Sequence, residues 1–369
     1  MKKKNIMVFT AARSDFGIMK NTIIKLNQMK KLNFFLVIGS AHITKSFGNT
    51  IKEINKIKIK NKIKLNFNYS KNSQIKDVTK NFTNTIINIQ KIFDKKKFDC
   101  CLIMGDRYEM FAVAIVCLNY NVPIAHICGG SETYGSIDNE YRNSISQMAN
   151  FHFVETNHHK RRLKNMGINK DVYVVGAPAL ENLKFHRQNF NEIQKKNLPN
   201  YNSKKKLVVS CFHPETTTNL KNNLRNLDSL IKFLNSIDGY NIIFTYPNAD
   251  TGYKDFINLL NKKLSKNIYL IPNLGVDNYY SILKKASCLI GNSSSGIIES
   301  ASFNLPTINL GNRQKKRYYP KNVYHCSFEV KKIEVLFNNI INKKIKIKNP
   351  YYKKKTSERI TTKIENLLN

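Results

Sequence analysis

The feature that most constrains the fold of this 369-residue chain is a series of short apolar segments with helix-like segments between them. Apolar runs of strand length are typical of parallel strands that are buried on both faces. Their alternation with helices predicts an α/β fold built on open, doubly wound parallel sheets. The predicted strands lie at 5–10, 34–38, 100–104, 123–128, 151–155 and 172–175, and again at 206–211, 240–246, 267–271, 288–291 and 306–310.

The strand–helix series runs through the chain twice. Residues 187–206 are polar, contain Pro199 and lack apolar periodicity, so we interpret them as a linker. A length of 369 residues fits two domains that each bury a core. We therefore predict Rossmann-like domains at 1–190 and 191–353 that face a cleft. The residues 354–369 are predicted as a helix that can pack back on the first domain.

The net charge of +36, from 61 basic and 25 acidic side chains, raises the question of a nucleic-acid or membrane partner. Only ten of the basic residues are arginines, whereas base readout and bidentate phosphate recognition favour arginine. The lysines are scattered among Asn and Ile residues, which favours solvated surfaces. We expect no nucleic-acid partner and no membrane partner.

The cysteines and the N-terminus bear on the compartment. The seven cysteines show no pairing pattern and no Cys-x-x-Cys, so we expect neither a zinc site nor a disulfide framework. No apolar run reaches the roughly 18 residues of a membrane span, and the N-terminus lacks the long apolar core of a signal peptide. These features predict a cytoplasmic protein with reduced cysteines and no bound metal.

Candidate functional residues follow the predicted strands of the first half. The loop at 10–17 places Arg13 and Asp15 at a helix N-terminus, which suits an anionic ligand but also fits an ordinary capped helix. Asp106, beside Arg107, is open to three roles, as a base, as a hydrogen-bond acceptor or as a helix N-cap.

The segment 126–142 concentrates carboxylates in a chain that is poor in acids. Glu132, Asp138 and Glu140 lie within nine residues, and Arg142 follows them. Neighbouring carboxylates raise each other's pKa, which suits one as a general acid and one as a base. A polar loop with a helix-capping residue is the alternative interpretation.

The second half carries groups suited to a diphosphate. His213 follows the strand at 206–211 and is either a switchable donor or a structural histidine. The run GNSSSGIIE at 291–299 is either an anion cradle of backbone N–H and hydroxyl groups or an ordinary polar helix start. Arg313 and Arg317 follow, and with Arg13 and Arg107 they suggest neutralisation of a diphosphate.

The combination of these segments resembles one enzyme family. The motifs ARSDFG, GDRYE, HICGG, ID, YR, HPET, GNSSSGIIE and NxGxRQxxR occur in this order over roughly residues 5–320. Together they resemble the hydrolysing UDP-N-acetylglucosamine 2-epimerases, the first enzymes of sialic-acid and related nonulosonic-acid synthesis. The resemblance implies the GT-B architecture of two Rossmann-like domains, and it implies a homodimer.

The resemblance also implies a reaction. Such an enzyme removes the C2 proton of UDP-N-acetylglucosamine and expels UDP by anti-elimination, which leaves a 2-acetamidoglucal. Addition of water to this intermediate releases N-acetylmannosamine. The reaction demands a carboxylate base, a carboxylic acid and cationic groups at the diphosphate, and no metal or redox cofactor.

Site residues follow from the matching motifs. The implied catalytic residues are Asp106, Glu132, Asp138 and His213, with Glu132 one residue later than the glutamate of many family members. The expected contacts to UDP or to the sugar are Arg13, Asp15, Arg107, Arg142, Ser294, Ser295, Gly296, Glu299 and Arg313.

The motifs leave the substrate open. A UDP-2,4-diacetamido-trideoxyhexose or a GDP-linked sugar, as in legionaminic-acid routes, fits them as well as UDP-N-acetylglucosamine does. A GT-B glycosyltransferase that shares the diphosphate site is a further alternative, against which the three carboxylates argue.

Overall fold

The predicted α/β fold class is confirmed by a computed structural model, which describes residues 3–44, 50–67, 75–134, 136–185, 190–215, 217–247, 252–272, 274–343 and 345–368. The chain divides into two compact units. The first unit comprises Met1–Ser131, Asp138–Asn182 and Tyr351–Asn369, and the second comprises Glu132–Ile137 and Leu183–Pro350. The division at 182/183 lies a few residues before the boundary of 190/191 expected from the sequence.

Thirteen strands are present in the described residues, seven in the first unit and six in the second. The strands of the first unit are β1 (Lys4–Thr10), β2 (Leu32–Ile38), β3 (Asn61–Lys64), β4 (Cys100–Met104), β5 (Ile124–Ile127), β6 (Phe151–Val154) and β7 (Val172–Val174). The strands of the second unit are β8 (Lys206–Cys211), β9 (Tyr240–Thr245), β10 (Ile268–Ile271), β11 (Cys288–Gly291), β12 (Thr307–Leu310) and β13 (Val323–Cys326).

The two sheets have the same topology. The first has the strand order β3-β2-β1-β4-β5-β6-β7 and the second has the order β10-β9-β8-β11-β12-β13, with every strand pair parallel. In each sheet the order turns around next to its first strand, which is the doubly wound Rossmann arrangement.

Thirteen α-helices in the described residues connect and cover the sheets. They are α1 (Arg13–Gln28), α2 (Ile51–Asn55), α3 (Ile75–Lys95), α4 (Tyr108–Asn119), α5 (Asp138–Met148), α6 (Asn157–Asn165), α7 (Phe190–Asn197), α8 (Leu220–Ser236), α9 (Tyr253–Lys263), α10 (Gly275–Lys285), α11 (Ser295–Ile298), α12 (Val330–Ile340) and α13 (Thr356–Leu368). Short 3₁₀ segments lie at Ser40–His42, Pro178–Phe185 and Ser300–Phe303.

Each sheet is buried on both faces, as the apolar runs predict. In β1, Ile6 and Val8 join one core cluster, whereas Met7 and Phe9 join another. Successive side chains of a strand point to opposite faces, so these two clusters lie on opposite sides of the sheet. All seven cysteines are free thiols, and five of them are buried.

Three predictions made from periodicity need correction. The strands β3 and β13 were not predicted, because β3 reads as the polar sequence NKIK and β13 is the four-residue segment VYHC with one buried residue. The residues 187–206, interpreted as a linker, contain α7, whose Ile193 is buried in the core of the second unit. Helix α1 begins at Arg13 rather than at Gly17, so the ARSDFG motif forms its first turn.

The C-terminal helix α13 belongs to the first unit. Its Ile360 and Ile364 are buried in the same cluster as Ile23 and Leu26 of α1. At the N-terminus of α13 the buried Glu181 carboxylate accepts hydrogen bonds from the Ser357 N–H group, at 2.9 Å, and from the Ser357 hydroxyl. A carboxylate at a helix N-terminus satisfies N–H groups that have no partner within the helix.

We expect Ile360→Ala to destabilise the first unit. Removing a fully buried isoleucine side chain leaves a cavity, which costs about 2–5 kcal/mol of unfolding free energy. Val335→Ala on α12 is the control, because 61% of the Val335 side chain is exposed and its loss should change the unfolding free energy by less than about 0.5 kcal/mol. Urea denaturation followed by circular dichroism measures both, and equal effects would contradict the docking of α13.

Candidate active site

Two places in the fold can form a site because of the strand order alone. In a doubly wound sheet the loops that leave the two strands at the reversal of order separate, which opens a crevice at their carboxyl ends. In the first unit these strands are β1 and β4, and in the second they are β8 and β11. Most residues of the predicted site lie in the loops that follow these four strands.

After β1, Asp15 is occupied by its own loop. The buried carboxylate accepts hydrogen bonds from the Thr10 hydroxyl and from the N–H groups of Ala11 and Ala12, each at 2.8 Å. Burial raises the pKa of Asp15 to about 6, against the lowering effect of the Arg107 charge and of the hydrogen bonds. Asp15 therefore shapes the first turn of α1, and the side chain of Arg13 lies outside the described residues.

His42 extends this network and was not predicted from the sequence. Thr10 donates its only hydroxyl proton to Asp15, so its oxygen accepts from His42 Nε2 at 3.0 Å. His42 Nδ1 then accepts from the Thr50 hydroxyl at 2.7 Å. These roles are those of a neutral imidazole, and burial, aided by the Arg107 charge, lowers the pKa of His42 to about 4. The sequence feature that could have pointed to His42 is its position just after β2.

After β4, Asp106 forms an ion pair with Arg142 of α5. The Arg142 side chain is 3% exposed and the Asp106 side chain 25% exposed, so a buried guanidinium holds a carboxylate that solvent reaches. Arg142 Nη1 also donates to the Ser131 carbonyl at 3.1 Å. Arg142, expected to contact the substrate, orients the proposed catalytic Asp106.

Arg107, next to Asp106, has a different partner. Its guanidinium donates two hydrogen bonds to the buried Glu109 carboxylate, at 3.0 and 3.1 Å. Such bidentate pairs fix the orientation of both planar groups. Arg107 therefore has its fork directed at Glu109, while its charge acts on Asp15 and His42.

His126 supports the turn that carries Asp106. Its Nε2 donates to the Gly105 carbonyl at 2.8 Å, and its Nδ1 accepts from the Ser146 hydroxyl at 3.1 Å. Gly105 itself has a φ of +80°, a conformation that favours glycine. Burial lowers the pKa of His126 to about 4, so the neutral imidazole joins β5, α5 and the Gly105 turn.

The other two predicted carboxylates lie in different units. Asp138 is the first residue of α5 in the first unit. Glu132 belongs to a short segment of the second unit, where Arg317 Nε donates to its backbone carbonyl at 3.1 Å. Arg317 also donates to the Thr133 hydroxyl at 3.1 Å. Arg317, suggested as a diphosphate ligand, thus holds the backbone of the Glu132 segment.

In the second unit, His213 is neutral and its backbone is clamped. Burial, with a contribution from the Arg313 charge, lowers the pKa of His213 to about 3. The side-chain amide of Asn292 accepts from the His213 N–H group at 2.7 Å and donates to the His213 carbonyl at 2.9 Å. Arg313 donates to the backbone carbonyl of Asn292 at 3.2 Å. Asn292 was not among the predicted site residues.

The predicted cradle after β11 is a hydroxyl cluster around Glu299. The Glu299 carboxylate accepts from the Ser295 hydroxyl at 2.5 Å and from the Tyr280 hydroxyl at 2.9 Å. Tyr279 donates to the Ser295 oxygen at 2.9 Å. Burial raises the pKa of Glu299 against these two hydrogen bonds. The two tyrosines were not predicted, because they lie on α10, outside the strand-end loops.

Two further findings concern cofactors and membranes. Within the described ranges no group of three or more His, Cys, Asp or Glu residues could hold a metal ion. No helix in the part of the chain that the structure describes is both long enough and apolar enough to cross a membrane.

We expect stability to fall between pH 6.5 and pH 5. Burial lowers the pKa of His42, His126 and His152 to about 4 and that of His213 to about 3, so the unfolded chain takes up protons that the folded protein refuses. The raised pKa values of Asp15 and Glu299 act in the opposite direction, but these are two groups against four. Denaturant midpoints measured at several pH values test this expectation.

The control for the pH prediction is His152→Asn. Removing one of these four histidines with lowered pKa values should reduce the pH slope by about one proton. A midpoint that stays constant from pH 6.5 to pH 5 would contradict the neutral, buried state of these side chains.

Comparison with known proteins identifies the family. A family model described as UDP-N-acetylglucosamine 2-epimerase matches residues 24–365. The chain is 35% identical over 355 residues to the GDP/UDP-N,N'-diacetylbacillosamine 2-epimerase (hydrolyzing) of Campylobacter jejuni, which covers 94% of this chain and 90% of that protein. It is 30% identical over 333 residues to the UDP-N-acetylglucosamine 2-epimerase of Neisseria meningitidis, which covers 89% and 85%.

Solved structures agree in fold. The crystal structure of UDP-GlcNAc 2-epimerase from Neisseria meningitidis bound to UDP-GlcNAc matches with a TM-score of 0.79 at 19% identity, and covers 98% of this chain and 100% of that chain. At this identity the likeness shows the fold alone, which is the GT-B type with two Rossmann-like units. The family model and the curated relatives together cover nearly the whole sequence, and this chain therefore belongs to the UDP-N-acetylglucosamine 2-epimerase family.

Proposed function

We propose that the chain is a hydrolysing 2-epimerase that converts a UDP-linked 2-acetamido sugar and water into UDP and the free sugar inverted at C2. With UDP-N-acetylglucosamine as substrate, the product is N-acetylmannosamine. The observation that carries the proposal is the Asp106–Arg142 pair at the end of β4, because it provides a solvent-accessible carboxylate beside a buried positive charge. A guanidinium favours the anionic form of a neighbouring carboxylate, which is the form that a base needs.

The reaction requires a base at the C2–H bond and charge stabilisation at the departing diphosphate. The C2–H bond of the sugar is not acidified by a carbonyl, so its removal has to be coupled to departure of the diphosphate. We assign the base and acid functions to the carboxylates Asp106, Glu132 and Asp138. The elimination leaves a 2-acetamidoglucal, and delivery of a proton and a hydroxide across its double bond gives the inverted sugar.

The groups proposed for the leaving diphosphate include the neutral donor His213 and the cation Arg313. His213 is neutral at physiological pH, so it acts as a hydrogen-bond donor to the leaving group, beside the positive charge of Arg313. The remaining proposed contacts to UDP or to the sugar are Arg13, Asp15, Arg107, Arg142, Ser294, Ser295, Gly296 and Glu299. Of these, Glu299 is a carboxylate that can accept hydrogen bonds from ribose hydroxyls.

The relatives are named for different sugars, so they leave the sugar of the substrate open. The protein from Campylobacter jejuni is named for diacetylbacillosamine, and that from Neisseria meningitidis for N-acetylglucosamine. A protein of Escherichia coli with 32% identity over 327 residues is named polysialic acid biosynthesis protein P7. These names support two candidates, UDP-N-acetylglucosamine and a UDP- or GDP-linked 2,4-diacetamido-trideoxyhexose, and we assign the first to a sialic-acid route and the second to a legionaminic-acid route. We place the enzyme in the cytoplasm as a homodimer that needs no cofactor.

We expect the purified protein to release UDP and a C2-inverted free sugar from a nucleotide sugar. Proton NMR of reactions with UDP-N-acetylglucosamine and with UDP-N,N'-diacetylbacillosamine identifies the product, and the ratio of the two kcat/KM values decides the sugar. In D2O, deuterium should appear at C2, because the added proton comes from solvent. Recovery of an intact epimerised nucleotide sugar, or UDP release that requires a sugar acceptor, would contradict the hydrolysing reaction.

Asp106→Asn and Asp138→Asn should each lower kcat by about 10²–10⁴, which is the usual contribution of a positioned acid or base. The dissociation constant for UDP, measured by isothermal titration calorimetry, should change by less than about threefold because neither carboxylate is assigned to the nucleotide.

Asp94→Asn is the matched control for these two variants. Asp94 is an exposed carboxylate at the end of α3 in the same unit, and its loss should leave kcat unchanged. Near-wild-type turnover in either of the first two variants would remove that residue from the proposed mechanism.

A further inference from the structure

The two strands at the reversal of order in the second unit are unusually close at their ends. Gly291, the last residue of β11, pairs with Cys211, the last residue of β8. A Cβ atom on Gly291 would lie 1.9 Å from the Cys211 carbonyl oxygen, and the φ of Gly291 is +145°. Only glycine fits this approach, and it allows the Asn292 N–H group to donate to the same carbonyl at 3.2 Å.

Beyond this point the side chain of Asn292 continues the pattern of the ladder. Its amide pairs with both the N–H group and the carbonyl of His213, at 2.7 and 2.9 Å, as a neighbouring strand would. The next residue is Pro214, which has no N–H group to donate, so the backbone cannot prolong the ladder in the usual way. Asn292 is fully buried, and no competing water reaches the pair.

The backbone carbonyl of Asn292 fixes a second group. It accepts hydrogen bonds from Arg313 Nη1 and from Gln314 Nε2, each at 3.2 Å. Asn292 therefore holds both the guanidinium of Arg313 and the backbone of His213 in place.

A similar amide clamp holds Glu215, the residue after Pro214. The side-chain amide of Asn223 accepts from the Glu215 N–H group and donates to the Glu215 carbonyl, each at 2.9 Å. The Glu215 carboxylate in turn accepts from the N–H groups of Asn312 and Arg313, each at 3.1 Å. The loops that carry His213 and Arg313 are thus connected through Glu215 and through Asn292. Of these two residues, only Asn292 forms hydrogen bonds with both His213 and Arg313.

We propose that Asn292 is the positioning residue of the diphosphate-binding groups, which keeps the His213 imidazole and the Arg313 guanidinium at a fixed separation. The inference rests on the proposed function, since that function gives these two groups a common ligand. Asparagine is required because the amide supplies one acceptor and one donor side by side. Aspartate retains the acceptor but faces the His213 carbonyl with a second oxygen.

The chain offers a matched control in Asn241. Its buried amide makes the same type of clamp, in which it accepts from the Asn202 N–H group at 3.1 Å and donates to the Asn202 carbonyl at 2.8 Å. Asn241 lies near the start of β9, at the amino-terminal edge of the sheet, whereas Asn292 lies at the carboxyl edge. Asn292→Ala and Asn241→Ala therefore delete the same type of clamp at opposite edges of one sheet, and Asn241→Ala also removes a hydrogen bond to the Lys205 carbonyl at 3.0 Å.

The experiment compares the two variants in melting temperature, in UDP affinity by isothermal titration calorimetry, and in kcat and KM by product release. A displacement of about 1 Å in catalytic groups costs about 10²-fold in rate. We expect Asn292→Ala to lower kcat by about 10–10² and to weaken UDP binding by about tenfold, with KM changing less than kcat. Asn241→Ala should lower the melting temperature to a similar extent and leave the other quantities within twofold.

Three results would overturn the proposal: wild-type kcat and UDP affinity in Asn292→Ala, equal losses in Asn241→Ala, or no UDP binding by the wild-type protein. Should the wild-type protein bind UDP but turn over no nucleotide sugar, the proposed reaction fails, and the UDP affinities alone decide the role of Asn292. If Asn292→Ala does not fold, Asn292→Asp is measured instead with the same expected losses.

Discussion

The constraint on which this structure depends is the parallel pairing of every strand in both sheets. Parallel strands bring all their carboxyl ends to one edge and need a crossover connection between each pair, so the loops at that edge begin the helices. The same geometry places the loops after β1 and β4, and those after β8 and β11, at the reversals of strand order. Asp15, Asp106, His213 and Glu299 follow these four strands, whereas Glu132 and Asp138 follow β5 and Arg313 follows β12.

Three arginines each hold a polar partner at this edge of the sheets. Arg142 holds Asp106, Arg107 holds Glu109, and Arg317 holds the backbone of Glu132. A guanidinium suits this task because its planar fork makes several directed hydrogen bonds and keeps its charge when buried. The net charge of +36 is carried mostly by lysines, so the charge as a whole says little about the site, whereas the few arginines mark where the loops are held.

The sequence predicted the strands that are mainly apolar and missed short elements whose residues are mainly polar or half-buried. All the central strands were located, because a strand buried on both faces has to be apolar throughout. Of the four edge strands, β7 and β10 were located and β3 and β13 were missed, since β3 reads NKIK with no buried residue and β13 reads VYHC with one. Helix α7 escaped for a related reason, as it anchors a mainly polar sequence through few core contacts such as Ile193.

In the candidate site, the residues with charge were easier to find than those with amides. A carboxylate or an arginine at a strand end is noticeable in a chain where both are scarce, but asparagine is abundant here and most of its occurrences are polar surface. Asn292, Asn223 and Asn241 differ from these only in that burial forces each amide to pair with backbone groups. Periodicity carries no information about such pairing, because the partner residue is distant in sequence.

The Asn292 clamp does leave two local features in the sequence. One is a glycine that admits no Cβ directly before the asparagine, and the other is a proline directly after its backbone partner. Gly291 and Pro214 are these two residues. The close approach of the two strands is therefore indicated by the residues that flank the contact, and not by Asn292 or His213 themselves.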